Sequence, residues 1–236
     1  MRASYSGYYA TLPRLRRQSD SARPLPDNCK TDFMKIGWCG ETCFQITTSS
    51  DDKEGVSIAI DEKEGKKSKA DIVLKTHEFD SVPQKKDGQF FISSWGEYES
   101  KGVFVQGVPS LTINKGQNII FLIEAEGVRV CHLGLFGEQD ISEEQLEAIG
   151  RVDILLVPID GDKTINFKEA ERIIAEIEPK MVIPMAYNSK KKDTLNAFLK
   201  AMGEKEIASQ EKLSISKKNI SVESEKAEII ILEEKQ

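Results

Sequence analysis

Two histidines are all the imidazole this chain possesses, and both stand where a strand would end. His77 follows the apolar run Ile72-Val73-Leu74, and His132 follows Val128-Arg129-Val130-Cys131. Strand carboxyl ends are where open α/β architectures gather ligands, and neutral imidazole is the commonest metal ligand, so a shared site is one reading. The other is that each ring simply hydrogen-bonds a loop carbonyl. Other reactive groups are sparser. Cys39 and Cys43 have the spacing of half a zinc site, but no second pair follows, and a packed small hydrophobe is the better reading of each. Cys131 and His132 are strand neighbours that point to opposite faces, which separates them as nucleophile and base. Glu97 and Glu99 share a face if their segment is extended, which suits acid/base work or a solvated surface. Asp160-Gly161-Asp162 reads as a turn, and no phosphate-binding glycine loop is visible.

The elements that must position these groups fall into two halves. From residue 33 onward, short β-rich runs follow one another at 34–38, 43–47, 56–60, 72–76, 89–92, 103–108, 118–124 and 128–133, separated by turn residues. Val56, Ile58 and Ile60 alternate with small Ser57 and Ala59, which suggests one core face, and Glu126-Gly127 reads as a hairpin turn. The second half changes character. Ser142-Glu143-Glu144-Gln145 is a capping box with Ile141 and Leu146 placed as its staple, so a helix starts there and stops at Gly150. A strand over 152–159 precedes apolar residues at helical spacing, Phe167 to Ile177, behind an Asn166 cap and ahead of Pro179. A strand at 181–185, a helix marked by Leu195, Phe198, Leu199 and Met202 with Gly203 at its end, and a return to β over 220–232 complete the chain. Strands first, then helix and strand in alternation, indicate two facing sheets with helices outside them.

A chain of 236 residues with 31% charged residues is of globular type. Residues 1–32 mix Ser, Pro, Arg and Tyr without periodicity and read as a basic, disordered extension to a single domain over 33–236. A transit peptide, or a true start at Met34, would explain the same composition. Residues 1–31 carry six Lys/Arg against two acids, so the remainder bears −10 of the net −6. An acidic body argues against nucleic acid as a partner. No apolar run approaches the length of about 20 residues that spans a bilayer, so a membrane is not expected either. Four cysteines without a signal-peptide core point to reduced thiols and a cytoplasmic location.

Several segments resemble a known family. Met34-Lys35-Ile36-Gly37-Trp38-Cys39-Gly40-Glu41-Thr42-Cys43-Phe44 is similar to the first strand and loop of the ascorbate-6-phosphate lactonase-like branch of the metallo-β-lactamase-fold hydrolases. Ile58-Ala59-Ile60-Asp61 matches that branch's second landmark, and Thr76-His77-Glu78-Phe79-Asp80-Ser81 looks like a worn form of its T-H-x-H-x-D-H motif. Gly96 to Glu99, Lys101 to Val103, Val130 to Gly134, Val152 to Pro158 and Pro179 to Tyr187 follow in family order. The resemblance covers residues 34–187 and implies an α/β fold, the αββα sandwich of two mixed β-sheets flanked by helices.

It also implies a metal-dependent hydrolase in which up to two metals, held by five histidines and two aspartates, activate water. Carried over position by position, His77 and His132 are retained, while Phe79, Leu135 and Ala186 stand where metal ligands are expected and Glu41 replaces a loop histidine. The motif's aspartate falls at Ser81, or at Asp80 with a one-residue gap. What the resemblance leaves is at most a single divalent metal, zinc being the first choice, on His77, His132 and Asp80 or Glu78, with Asp80 in the catalytic role. Three readings follow. One is a pseudoenzyme with a degenerate site that binds a ligand, a small anionic metabolite being one. Another is a mononuclear hydrolase of phosphoesters or lactones. The last is a scaffold in a homo-oligomer.

Overall fold

Burial alternates residue by residue along the first strands, and that alternation is what makes them strands. In Phe44–Ser49, Phe44, Ile46 and Thr48 are buried while Gln45 and Thr47 are exposed, as a half-covered pleat requires. The computed structural model describes residues 33–49, 55–62, 69–77, 88–220 and 226–235. All belong to the compact unit Thr31–Gln236. The extension read over 1–32, and Glu78, Phe79, Asp80, Ser81 and Val82, lie outside the described residues.

Strands β1 (Phe33–Trp38), β2 (Phe44–Ser49), β3 (Ser57–Ile60), β4 (Ile72–Leu74) and β5 (Phe90–Ile92) open the domain. Next come β6 (Gly96–Ser100), β7 (Val103–Leu111), β8 (Gln117–Ala125) and β9 (Val128–His132). Helix α1 (Glu143–Ile149), β10 (Ile154–Pro158), α2 (Phe167–Ile177), β11 (Met181–Met185) and α3 (Asp193–Ala201) then alternate. Short strands β12 (Ser209–Gln210), β13 (Leu213–Ile215), β14 (Glu228–Ile229) and β15 (Ile231–Leu232) end it. They build a six-stranded sheet in the order β13-β1-β2-β3-β4-β5 and a seven-stranded sheet in the order β14-β11-β10-β9-β8-β7-β6, with β12 and β15 paired apart. Both large sheets are mixed: β3, β4 and β5 run parallel beside the antiparallel β1–β3 meander, and β9, β10, β11 and β14 run parallel beside β6–β9. Helix α1 packs on β7, α2 on β10 and α1, and α3 on α2, which sets these helices on the side of the seven-stranded sheet.

The caps stand where the sequence puts them. Ser142 and Gln145 form a reciprocal box at α1, and Asn166 and Glu169 form another at α2, each satisfying N–H groups that a helix start leaves without partners. The outlying strands differ from expectation. β6 is a polar edge strand, exposed at Glu97 and Glu99, whose pattern carries little hydrophobic signal. The stretch 220–232 is not one strand, since Ile220 ends a 3-10 turn and β14 and β15 are two residues each. The partner of β1 is instead β13, with Met34 opposite Ile215. In β3, Ala59 is as buried as Ile58 and Ile60, because the strand lies inside the sheet with both faces covered.

Candidate functional site

His132 is the last residue of β9, opposite Phe121 on β8 and Leu156 on β10, and it is fully buried. The Gly134 N–H donates to its Nδ1 at 3.0 Å, so Nδ1 must carry the lone pair. Its Nε2 lies 2.9 Å from the Thr42 carbonyl, an acceptor only, so Nε2 must carry the proton. The ring is therefore neutral, its tautomer is fixed, and both nitrogens are consumed by backbone groups. Burial holds its pKa below the usual histidine value, against the pull of the Asp61 carboxylate. Phe44 on the facing sheet meets the ring edge-on at 5.6 Å.

Asn118 makes this geometry possible. Its fully buried amide donates to Ser110 Oγ at 2.7 Å and to the Leu133 carbonyl at 2.9 Å, and its Oδ1 accepts from Leu135 N–H at 2.9 Å. Three bonds from one side chain thus hold the turn after β9. Gly134 adopts φ +65°, and a Cβ there would stand 2.4 Å from Asn118 Oδ1 and 2.8 Å from Thr76 Cβ, so only glycine fits.

His77 lies beyond the end of β4 and forms an isolated bridge with Asn118. Its Nδ1 is 2.8 Å from Thr76 Oγ1, which itself lies 2.5 Å from Asp61 Oδ2, while the Thr76 N–H donates to Asp61 Oδ1 at 2.9 Å. The hydroxyl has one proton and gives it to the carboxylate, so it accepts from His77 Nδ1–H. Asp61, Thr76 and His77 form a relay in which the carboxylate, through the hydroxyl, fixes the orientation of the imidazole. Desolvation keeps the His77 pKa below its usual value although Asp61 and Glu41 pull it up.

The rim around His77 is acidic. Glu41, in the loop between β1 and β2, acts electrostatically on both His77 and Asp160, and burial followed by the Asp162 charge pushes Asp160 upward. The Glu41 carbonyl accepts from Trp38 Nε1 at 2.8 Å and from Ala186 N–H at 3.1 Å, tying the two sheets together. Glu41 (φ +48°), Asp61 (φ +47°) and Ala186 (φ +54°) are all left-handed, a rare conformation for residues with a Cβ.

Asp61 acts electrostatically on both imidazoles, and His77 acts on His132. Asp80 and Glu78 lie outside the described residues. Glu97 and Glu99 are not brought in, since β6 is the far edge of the sheet, three strands from β9. Asp160-Gly161-Asp162 is a turn as read, with Gly161 at φ +80°. Cys131 is fully buried, and burial raises its thiol pKa. Sequence reasoning assigned no role to Thr76, Asn118 or Asp61. The only signal was for Asp61, an acid closing an apolar strand.

This architecture defines a class: the chain belongs to the metallo-β-lactamase superfamily, residues 35–186 matching the beta-lactamase superfamily domain. Within it, the chain is similar to a UPF0173 protein of Pyrococcus furiosus, 29% identical over 204 residues, which cover 74% of this chain and 93% of that one. A UPF0173 metal-dependent hydrolase of Thermococcus kodakarensis is 27% identical over 154 residues, covering 61% of this chain and 66% of the relative. Among solved structures, a protein of Thermotoga maritima described as a candidate zinc-dependent hydrolase of this superfamily superposes with a TM-score of 0.68. It is 29% identical, and the match covers 84% of this chain and 98% of the other.

Among the described residues, no complete metal centre is assembled. Both His132 nitrogens are committed to backbone groups, Leu135 and Ala186 have no donor side chain, and among the described residues no three His, Cys, Asp or Glu side chains are grouped to hold a metal ion. A zinc site needs about four donors, three of them from protein in a catalytic centre.

Proposed function

We propose that this chain is a metallo-β-lactamase-fold protein that has given up two-metal hydrolysis and uses the strand-end rim to bind a small polar ligand. The observation that carries this reading is the state of His132, whose Nδ1 accepts from Gly134 and whose Nε2–H is given to Thr42. To lend Nε2 to a cation the ring would have to lose a buried hydrogen bond and strand the Thr42 carbonyl, which costs about 1–3 kcal/mol. The carboxylates of Glu41 and Asp160, which act on each other electrostatically, favour a neutral or cationic ligand over a small anion by charge repulsion. No described helix is long and apolar enough to cross a membrane.

A second reading has one observation behind it. The Asp61-Thr76-His77 relay presents an oriented imidazole, as at metal sites, and the relatives' names include metal-dependent hydrolase. A single divalent metal on His77, with donors from Glu78 or Asp80, would polarise a phosphoester or lactone. Elemental analysis of the full chain purified without chelator separates the two. The binding reading expects far less than one metal per chain and no change in thermal stability on adding chelator. Near-stoichiometric zinc, manganese or iron that disappears in His77→Ala, together with phosphoesterase or lactonase activity, overturns it. A thermal shift by neutral or cationic metabolites supports it.

A further inference from the structure

The loop that clasps His132 from the facing sheet carries two cysteines, and its geometry has a use that neither hydrolysis nor ligand binding requires. Trp38 and Phe44 are the last paired residues of β1 and β2. The next opposed pair is Cys39 and Cys43, with Cys39 N–H donating to the Cys43 carbonyl at 2.8 Å and Cys43 N–H closing the turn onto the Gly40 carbonyl at 2.9 Å. Directly opposed residues of an antiparallel pair share a face with Cβ atoms about 4.5–5.5 Å apart. A disulfide needs about 3.5–4.5 Å between Cβ atoms, so a small closure suffices. The two thiols interact, the Cys39 side chain raising the Cys43 pKa. Both are reduced, and they are unequally placed: Cys43 is buried at 5% exposure, whereas Cys39 is only half-buried. Cys43 is one of the buried hydrophobic residues, whereas Cys39 is not.

The geometry points to Cys39 and Cys43 as a redox-modification site, a dithiol that a low-molecular-weight disulfide such as oxidised glutathione converts to an intramolecular disulfide. The half-exposed Cys39, as thiolate, attacks one glutathione sulfur, forming the mixed disulfide and releasing one glutathione thiolate. Cys43 then gives its proton to that thiolate and attacks the Cys39 sulfur, releasing the second glutathione. The two protein thiols are oxidised by two electrons, and one glutathione disulfide is reduced to two thiols. The partner thiol, burial and nearby carboxylates all push the Cys43 pKa upward, which makes the second step the slow one and speeds it as pH rises. The bond would lock the left-handed turn at Gly40 and Glu41. It would thereby fix the carbonyls that hold His132 and Ala186.

The test is incubation of the full chain in glutathione buffers of rising oxidised fraction, then alkylation, thiol counting and peptide mapping without reduction. Tryptic peptide 36–53 contains both cysteines and no other. The expected result is loss of two of the four thiols, with peptide 36–53 lighter by two hydrogens, unalkylated, and restored by excess reduced glutathione. In Cys43→Ser the expected product is instead a lasting glutathione adduct on Cys39. Any of three results overturns the proposal: a lasting adduct on Cys39 of the unaltered chain, a link to Cys29 or Cys131, or peptide 36–53 fully alkylated at every ratio. Because the mapping is done on the unaltered chain, poor folding of a variant does not blunt it.

Discussion

His132→Gln should remove a component of acid sensitivity whose size follows from the site. In the unfolded chain the imidazole titrates near 6.5, whereas in the folded chain the ring is fully buried and its Nδ1 lone pair is occupied by Gly134 N–H, which holds its pKa lower. Below the unfolded value the unfolded chain binds a proton that the folded chain refuses. Stability from this group is thus complete above 6.5 and declines as pH falls beneath it, levelling only at the folded pKa. As pH falls from about 7.5 to about 5.5, a histidine held below its unfolded pKa loses folding free energy on the order of 1 kcal/mol. His77, also depressed, and the carboxylates contribute to the same fall in both proteins and cancel in the comparison. The assay is urea unfolding followed by tryptophan fluorescence, for which buried Trp38 is a reporter. Glutamine retains a donor for the Thr42 carbonyl but no acceptor placed for Gly134 N–H, so the variant starts about 1–3 kcal/mol less stable at neutral pH. It should then lose less stability than the unaltered chain on acidification, by on the order of 1 kcal/mol. Equal losses in the two proteins would refute the neutral, doubly bonded imidazole and with it the argument against metal ligation.

Three further outcomes follow from the same structure. Asn118→Leu leaves Ser110 Oγ, the Leu133 carbonyl and Leu135 N–H without their buried partner, and chemical denaturation should show a loss of about 3 kcal/mol. Gly134→Ala combines a positive φ with a Cβ 2.4 Å from Asn118 Oδ1, and a thermal melt should report at least about 2 kcal/mol of destabilisation. Lys101 and Ser57 together hold the Asp71 carboxyl at about 2, so this group stabilises the fold above 3.8 and stops doing so as pH falls through about 2. Lys101→Met should therefore cost no more than about 1 kcal/mol at neutral pH, the pair being solvent-facing, and nothing in strong acid, as measured by denaturation at both pH values.

How much of this was legible beforehand depended on how local the signal was. The starts of α1 and α2 were written in four-residue boxes, and the Glu126-Gly127 turn in a dipeptide with both residues at positive φ. β6 was not legible as a strand because its neighbours, not its own polar side chains, make it one, and β13 was missed because its pairing with β1 spans most of the chain. At the site, the placement of His77 and His132 at strand ends could be read directly. What the Nε2 of His132 does could not, since its partner is a backbone carbonyl 90 residues away, and every residue type presents the same carbonyl. Asn118 was invisible for a similar reason: its three bonds serve a turn on another strand, and nothing in the run around it calls for an amide.

The three left-handed residues at the rim, Glu41, Asp61 and Ala186, hold the backbone in a conformation that glycine adopts more readily. Each is disfavoured by roughly 1 kcal/mol relative to glycine, out of a total stability of about 5–15 kcal/mol for a typical domain. An inert scaffold would gain from relaxing them, so Ala186→Gly is where thermal tolerance should be easiest to raise. If the tolerance rises while occupancy by the natural ligand falls, the twist at this edge is in present use; if occupancy is untouched, the twist is an inheritance.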